Sequence, residues 1–390
     1  MSFIGKIFSK LFNHGNQCST SNTTSNKPLP VTTPVYAPRG GWLDATVDDS
    51  SSTAATVEIY DLEGHPLRLG AANELGAGGE GIAYELPLNP NILVKMYRQG
   101  TLEDPQKIGM LRQRILDMVN LVPCAKMSFL AWPLMPVMDA RREVIGFAMR
   151  KCTGFSFQTL RGPRFIKKRF PTWTRRELAL TAIDFLKKLQ LMAACNVLVN
   201  DFNPANFLVN QRGEVSFIDC DSFQVPGRGR VNVSRTYFAS HVAPELLKDK
   251  RLLAVPRNLH HVEFAAALTV FNLLMCGLHP YSWYDPWHKS ACGTPEDNLL
   301  QGRCPLGTGS NCKLPKGAWF NLWSWLPFRL KGVFITMFKD GHDDPAVRPS
   351  LAALQNEVET FLQLMGTEPE RASLEPRVPN PLKIKGGYNK

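Results

Sequence analysis

Hydrophobic positions recur with two different periods along the chain, and the change falls near Thr172. From Val57 to Leu69 apolar and polar residues read as strand, turn at Glu63-Gly64, strand. A glycine-rich stretch and a short apolar run, Ile92-Leu-Val-Lys95, follow, so the pattern predicts a β-rich beginning. Beyond Thr172 the spacing turns helical, over Trp173 to Ala194, Glu263 to Cys276, Leu330 to Phe338 and Leu351 to Leu364. Asp104-Pro105 reads as one more helix start, a capping carboxylate ahead of a first-turn proline. A small β-rich part therefore precedes a larger helical one.

The ends follow neither period. Phe3, Ile4, Ile7, Phe8, Leu11 and Phe12 share a helical stripe within residues 1–12, with Lys6 and Lys10 off it. A helix this short needs something to lie on: its own domain, a membrane surface or a partner protein. Residues 1–14 are thus an amphipathic segment and 15–55, rich in Ser, Thr, Asn, Pro and Gly, a disordered linker whose ordering no core would repay. The Pro-rich, charged stretch 366–390 reads as a disordered tail.

Composition narrows the class. A chain of 390 residues with 44% hydrophobic residues, 29 Gly and 29 Pro is no collagen, coiled coil, disulfide miniprotein or wholly disordered tail. Nine cysteines without a CxxC pair suggest reduced, cytosolic usage. The most apolar stretch, Phe264 to Cys276, falls short of the ~20 residues that cross a bilayer, and the first residues do not read as a secretory signal. A cytoplasmic protein is expected, peripheral at a membrane if residues 1–12 dock there.

The charge of +11 has one conspicuous concentration: Arg161, Arg164, Lys167, Lys168, Arg169, Arg175 and Arg176, with Phe165, Phe170 and Trp173 between them and no acid. Such a run suits a solvated face, a protein-docking surface or, less readily, nucleic acid. His288, Cys292, Cys304 and Cys312 match no zinc-finger or ribbon spacing and read as scattered reduced thiols.

The candidate chemistry begins at Gly76-Ala77-Gly78-Gly79-Glu-Gly81. A glycine-rich turn between strands lets backbone N–H groups approach phosphate oxygens. Lys95 then sits in an apolar strand, where a buried ammonium needs an anionic partner. Further on, Asp201 and Asn206 lie five apart, a hairpin turns near Gly213, and Asp219 emerges after the apolar run Val215 to Ile218. That hairpin can return Asp219 beside Asn206, two hard oxygen ligands suited to Mg²⁺ carrying a nucleotide phosphate, with Asp201 placed to accept a hydroxyl proton.

At these residues the chain resembles the eukaryotic-like protein kinase superfamily, whose glycine-rich loop, strand lysine, Asp-x-x-x-x-Asn loop and metal-binding aspartate come in this order. Ala243-Pro244-Glu245 is similar to the element closing the family's activation segment, and Arg348 to the late arginine that pairs with it. Asp201-Phe-Asn203-Pro with Ile218-Asp-Cys-Asp221, followed by Gly277-Leu-His279-Pro280, looks most like the bacterial YegI-like branch.

The resemblance implies an α+β, bilobal protein-kinase-like fold, with an N-lobe over 56–152 and a C-lobe over 153–365. It also implies a serine/threonine protein kinase using ATP and Mg²⁺ or Mn²⁺. Gly76, Ala77, Gly78, Gly79 and Gly81 would cover the phosphates and Lys95 would hold two of them. Ala83 and the strand end at Arg150 and Cys152 would contact adenine. Asp201 would act as base beside Asn203, and Asn206 and Asp219 would ligate metal. Besides a protein substrate, von Willebrand A-domain proteins and metal-dependent phosphatases are partners by resemblance.

Several positions depart from that pattern and leave a nucleotide-binding scaffold as the alternative. Asn203 stands where a lysine is usual, Asn200 where an arginine precedes the catalytic aspartate, and Val262, just before the helix from Glu263, near the place where the family has an aspartate. No glutamate pairs with Lys95 by position: Glu103 falls before the helix at Pro105, Gln106 in its first turn and Asp117 near its end. Asp221, in place of a glycine, either adds negative charge at the metal or caps the following turn, and the cap is the favoured reading.

Overall fold

The computed structural model describes residues 57–78, 80–87, 89–234, 236–282, 293–307 and 317–377. The stripe at 1–12, the linker, Gly79, His288, Cys292, Cys312 and the tail beyond Arg377 lie outside the described residues.

The first apolar alternation folds as expected. β1 (Val57–Tyr60) and β2 (Pro66–Leu69) pair with Val57 opposite Leu69, and the Asp61 carboxylate closes the turn by accepting the N–H groups of Glu63, Gly64 and His65. With β3 (Glu74–Ala77), β4 (Gly81–Leu86), β5 (Asn89–Tyr97), β6 (Pro133–Met138) and β7 (Val144–Arg150) they form a seven-stranded antiparallel sheet ordered β2-β1-β6-β7-β5-β4-β3. α1 (Pro105–Val119) starts where Asp104 accepts the N–H groups of Gln106 and Lys107. Its Ile108, Leu111 and Ile115 pack with Leu93, Phe147 and Met149 of the sheet, a face built by the i, i+3, i+7 spacing.

The helical part contains α2 (Pro163–Arg169), α3 (Arg175–Ala193), α4 (Pro244–Lys248), α5 (Leu259–Leu274), α6 (Phe328–Ile335) and α7 (Leu351–Thr367). Thr174 and Glu177 form a reciprocal cap at the start of α3. α5 is apolar on almost every side because it is the central helix of the core, packing against α3 and α7. α6 ends sooner than its pattern predicted: Thr336–Asp340 open into a wider π turn, after which the Gly341 carbonyl accepts from Arg348 Nε at 2.7 Å. The architecture is the α+β, bilobal, kinase-like one expected. Among the described residues no helix is long and apolar enough to cross a membrane.

What positions the candidate site is a cluster of phenylalanines under it. Phe202, Phe207 and Phe217 pack around Phe185 of α3, and Phe223 meets Phe217, all four within 2% of full burial. Phe185 and Phe217 stack 5.6 Å apart, and the other pairs meet edge to face. The alternation of buried Phe with polar Asp201, Asn206 and Asp219 thus places the aromatic rings in the core and the polar groups at its surface.

Candidate active site

β3 and β4 form the glycine-rich hairpin, with Gly76 opposite Ala83 and Ala77 opposite Ile82, and the Gly78 N–H donates to the Gly81 carbonyl at 2.8 Å. Among the described glycines of this turn only Gly81 is demanded by packing, since a Cβ there would come within 2.6 Å of the Met96 carbonyl. Gly76 and Gly78 are exposed, and a Cβ on Gly76 would meet nothing. Packing therefore does not explain why these two positions lack a side chain.

Lys95 lies on β5 opposite Ala83 and Phe147. Its ammonium donates to Asp219 Oδ1 at 2.5 Å and to both oxygens of Asp221, at 2.8 and 2.9 Å. Burial alone would lower the Lys95 pKa, but the two carboxylates outweigh it and hold the amine protonated. Asp221 is therefore not the turn cap the sequence suggested; its side chain is 2% exposed and also accepts from the Tyr97 hydroxyl at 3.3 Å. None of Glu103, Gln106 and Asp117 reaches Lys95: Glu103 accepts from Gln99, and Asp117 from Gln113 and Asn232. The missing helical glutamate is replaced from the segment itself.

Arg114 completes this arrangement and was not singled out from sequence. Its Nη1 donates to the Asp221 carbonyl and its Nη2 to the Val233 carbonyl, both at 2.7 Å, so α1 grips the segment through guanidinium instead of carboxylate. One signal was available: Arg114 falls between Leu111 and Ile115 on the apolar face of α1, where a cation needs buried partners.

Asp219 adopts a left-handed backbone, φ 58° and ψ 38°, held by the Ser222 N–H and hydroxyl on its carbonyl at 3.1 and 2.8 Å. That conformation costs energy in a non-glycine residue and, by turning the chain, lets Asp219 and Asp221 both face Lys95. β9 (Phe207–Val209) and β10 (Val215–Phe217) make the expected hairpin, and the Ile218 N–H donates to the Asn206 carbonyl at 2.9 Å, bringing Asp219 beside Asn206. Asn206 Nδ2 donates to Asp201 Oδ2 at 3.2 Å, while Asp201 Oδ1 is buried without a partner. Burial and then the neighbouring Asp219 raise the Asp201 pKa. Asn203 caps the short turn Pro204–Asn206 through the Ala205 N–H, and Asn200 Nδ2 donates to the Ser234 carbonyl at 3.0 Å.

At the proposed hinge Arg150 pairs with Ile92 and its Nη1 approaches the Met127 carbonyl at 3.4 Å. The half-buried Cys152 thiol is pushed up by burial. β8 (Phe155–Ser156) then pairs with β9, and Ser156 Oγ donates to the Pro204 carbonyl at 3.1 Å, so the chain leaving the sheet touches the Asp201 loop directly.

Glu245 and Arg348 meet as a two-pronged pair, at 2.8 and 2.7 Å, with Arg348 also over the Phe264 ring. Burial opposes ionisation of Glu245, but Arg348 and His261 bring its pKa down to about 2 from 4.5. Because the folded value is the lower one, this pair stabilises the fold above about pH 4.5 and loses that contribution as pH falls towards 2, roughly 3 kcal/mol in all. Glu245→Gln is expected to be less stable at pH 7 and to converge on the wild type in urea unfolding towards pH 2.

The basic run divides. Arg161, Arg164, Lys167, Lys168, Arg169 and Arg176 are exposed, with Phe165 at 62%. Phe170 and Trp173 instead stack 3.9 Å apart inside the core, and buried Arg175 donates to the carbonyls of Leu274, Leu322 and Arg371. It is not one interleaved basic and aromatic surface.

No known family profile matches the chain. Over 228 residues, 58% of its length, it is 25% identical to "Protein kinase YegI" of Escherichia coli (strain K12). Over 226 residues, 57% of its length, it is 26% identical to the protein of that name from Escherichia coli O157:H7. The chain is similar to protein kinases. The matched stretch spans 34% of each relative, about a third of their length.

Proposed function

We propose that this chain is an ATP- and Mg²⁺-dependent serine/threonine protein kinase, able to use Mn²⁺, built from an N-lobe over 56–152 and a C-lobe over 153–365. The observation that carries the reading is the convergence, at the junction of sheet and helices, of Lys95 and Asp219 with the Asp201–Asn206 pair. The residues fit a divalent metal: hard oxygens from Asn206 and Asp219 lie in a site where Asp219 and Asp221 share one ammonium and Asp201, beside Asp219, has none, leaving negative charge to be balanced. The metal, when bound, neutralises charge developing on the phosphates.

In this reading Gly76, Ala77, Gly78, Gly79 and Gly81 offer backbone N–H groups to the phosphates, and Ala83, Arg150 and Cys152 border the adenine. Lys95 holds the α- and β-phosphates, and Asp221 keeps its ammonium in place. Asp201 orients the acceptor hydroxyl; as the oxygen bonds the γ-phosphorus and the bond to the β-γ bridging oxygen breaks, the hydroxyl proton passes to the Asp201 carboxylate. By the same resemblance, von Willebrand A-domain proteins and metal-dependent phosphatases stand as proposed partners.

A second reading, a nucleotide-binding scaffold, is favoured by one observation. Asn203 is spent on the Ala205 N–H, and among the described residues no cation acts on Asp201. Transfer from γ-labelled ATP to the protein itself and to a basic protein, with Mg²⁺ or Mn²⁺, separates the two. Wild type is expected to incorporate label and Asp219→Asn to lose it by 10²-fold or more. A nucleotide-dependent thermal shift without label under either metal would leave the scaffold.

A further inference from the structure

Beneath the loop that carries Asp201 lies a small cavity whose lining includes Asn200, Phe202, His241, Ala243, Leu246 and Arg257. Its three polar side chains among these are each 5% exposed, and each leaves an atom without a hydrogen-bond partner: Asn200 Oδ1, His241 Nε2, and both Nε and Nη2 of Arg257. Folded proteins leave few such atoms, and four on one cavity call for a ligand.

The chemistry of that ligand follows from the charge and the donors. Burial alone acts on the Arg257 guanidinium, drawing its pKa down to about 10, so it stays cationic with no acid answering it. Glu245, next to the lining residue Leu246, is already committed to Arg348 and His261. Nor can Arg257 withdraw, because its N–H and carbonyl are both clamped by the Gln224 amide at 2.6 and 3.0 Å. Gln224 pairs in turn with the backbone of Leu198. Burial and His279 keep His241 neutral, and in the tautomer whose Nδ1 accepts from the Ser240 hydroxyl, 3.0 Å away, its Nε2 is a third donor. Donors and positive charge therefore outnumber the single acceptor, Asn200 Oδ1, whose amide is fixed by Ser234. One water would accept two of these bonds and cancel no charge.

We infer that this cavity binds a small monovalent anion of halide size, seated between Arg257 and His241. The ion links the segment at His241 to the approach to α5 under Asn200, and so braces the Asp201 loop from below.

The test needs no enzymatic activity. Thermal unfolding of the full chain is followed as sodium chloride or bromide replaces sodium gluconate at fixed ionic strength. The wild-type midpoint is expected to rise to a plateau by roughly 2–4 °C, as binding to the folded state alone requires, and Arg257→Met to show no dependence. Should Arg257→Met fail to fold, crystals of the wild type grown in bromide are expected to give an anomalous peak beside the guanidinium. A wild-type midpoint indifferent to halide, an equal rise in Arg257→Met, or water without an anomalous peak would overturn the inference.

Discussion

Asp201→Asn is expected to keep nucleotide binding and to lower phosphoryl transfer by about 10²–10⁴-fold, the range carried by one acid–base group. The substitution is chosen because it preserves the contact with Asn206, which Asp201→Ala would release. In the proposed reading it removes the one thing transfer needs from this position, an oxygen that can take a proton. Asp201 Oδ1 is buried and unpartnered, and burial together with Asp219 raises its pKa above 3.8, which makes it a better proton acceptor than an ordinary aspartate. If Asp201 acts as the proposed base, transfer requires its ionised form, so the acid limb of the pH–rate profile is expected above the usual aspartate range. Single-turnover transfer beside a nucleotide thermal shift reads both effects. Unchanged transfer would remove Asp201 from its role, and equal loss of binding would make it part of the nucleotide site.

Much of this site was legible because its spacing is enforced by one hairpin and one aromatic cluster. A loop ending at Phe207 and a strand ending at Phe217 pair only in the register that returns Asp219 to Asn206, and the alternating Phe residues anchor that register in the core. Asp221 was not legible because its direction depends on the left-handed turn at Asp219; one residue beyond that turn, a carboxylate that looks like a cap faces the interior. Arg175 was misread for a related reason. The basic run crosses the start of α3, and the residue after the Thr174 cap turns inward to satisfy the carbonyl of Leu274, which α5 leaves open at its end. Similarly, Asn200 looks like a loss when set against an arginine, yet its amide fastens the segment at Ser234. In each case charge and spacing were visible, and the missing quantity was which way one backbone turn aimed the side chain.

Lys95→Met is expected to destabilise the fold by about 3–5 kcal/mol and to abolish the nucleotide-dependent thermal shift. The two carboxylates it leaves are unequal. Asp219 is 40% exposed at its side chain and regains water, whereas Asp221 is 2% exposed and keeps only the Tyr97 hydroxyl at 3.3 Å, because Arg114 donates to its carbonyl and not to its carboxylate. The loss therefore belongs mainly to Asp221, and Lys95→Met combined with Asp221→Leu is expected to recover most of it in urea unfolding while nucleotide binding stays absent. Recovery with Asp221→Leu but none with Lys95→Met/Asp219→Leu would identify Asp221 as the residue that took over the duty of the helical glutamate. A Lys95→Met protein as stable as the wild type would mean that the buried pair contributes nothing, and the substitution of helix by segment as the source of the counter-ion would fail with it.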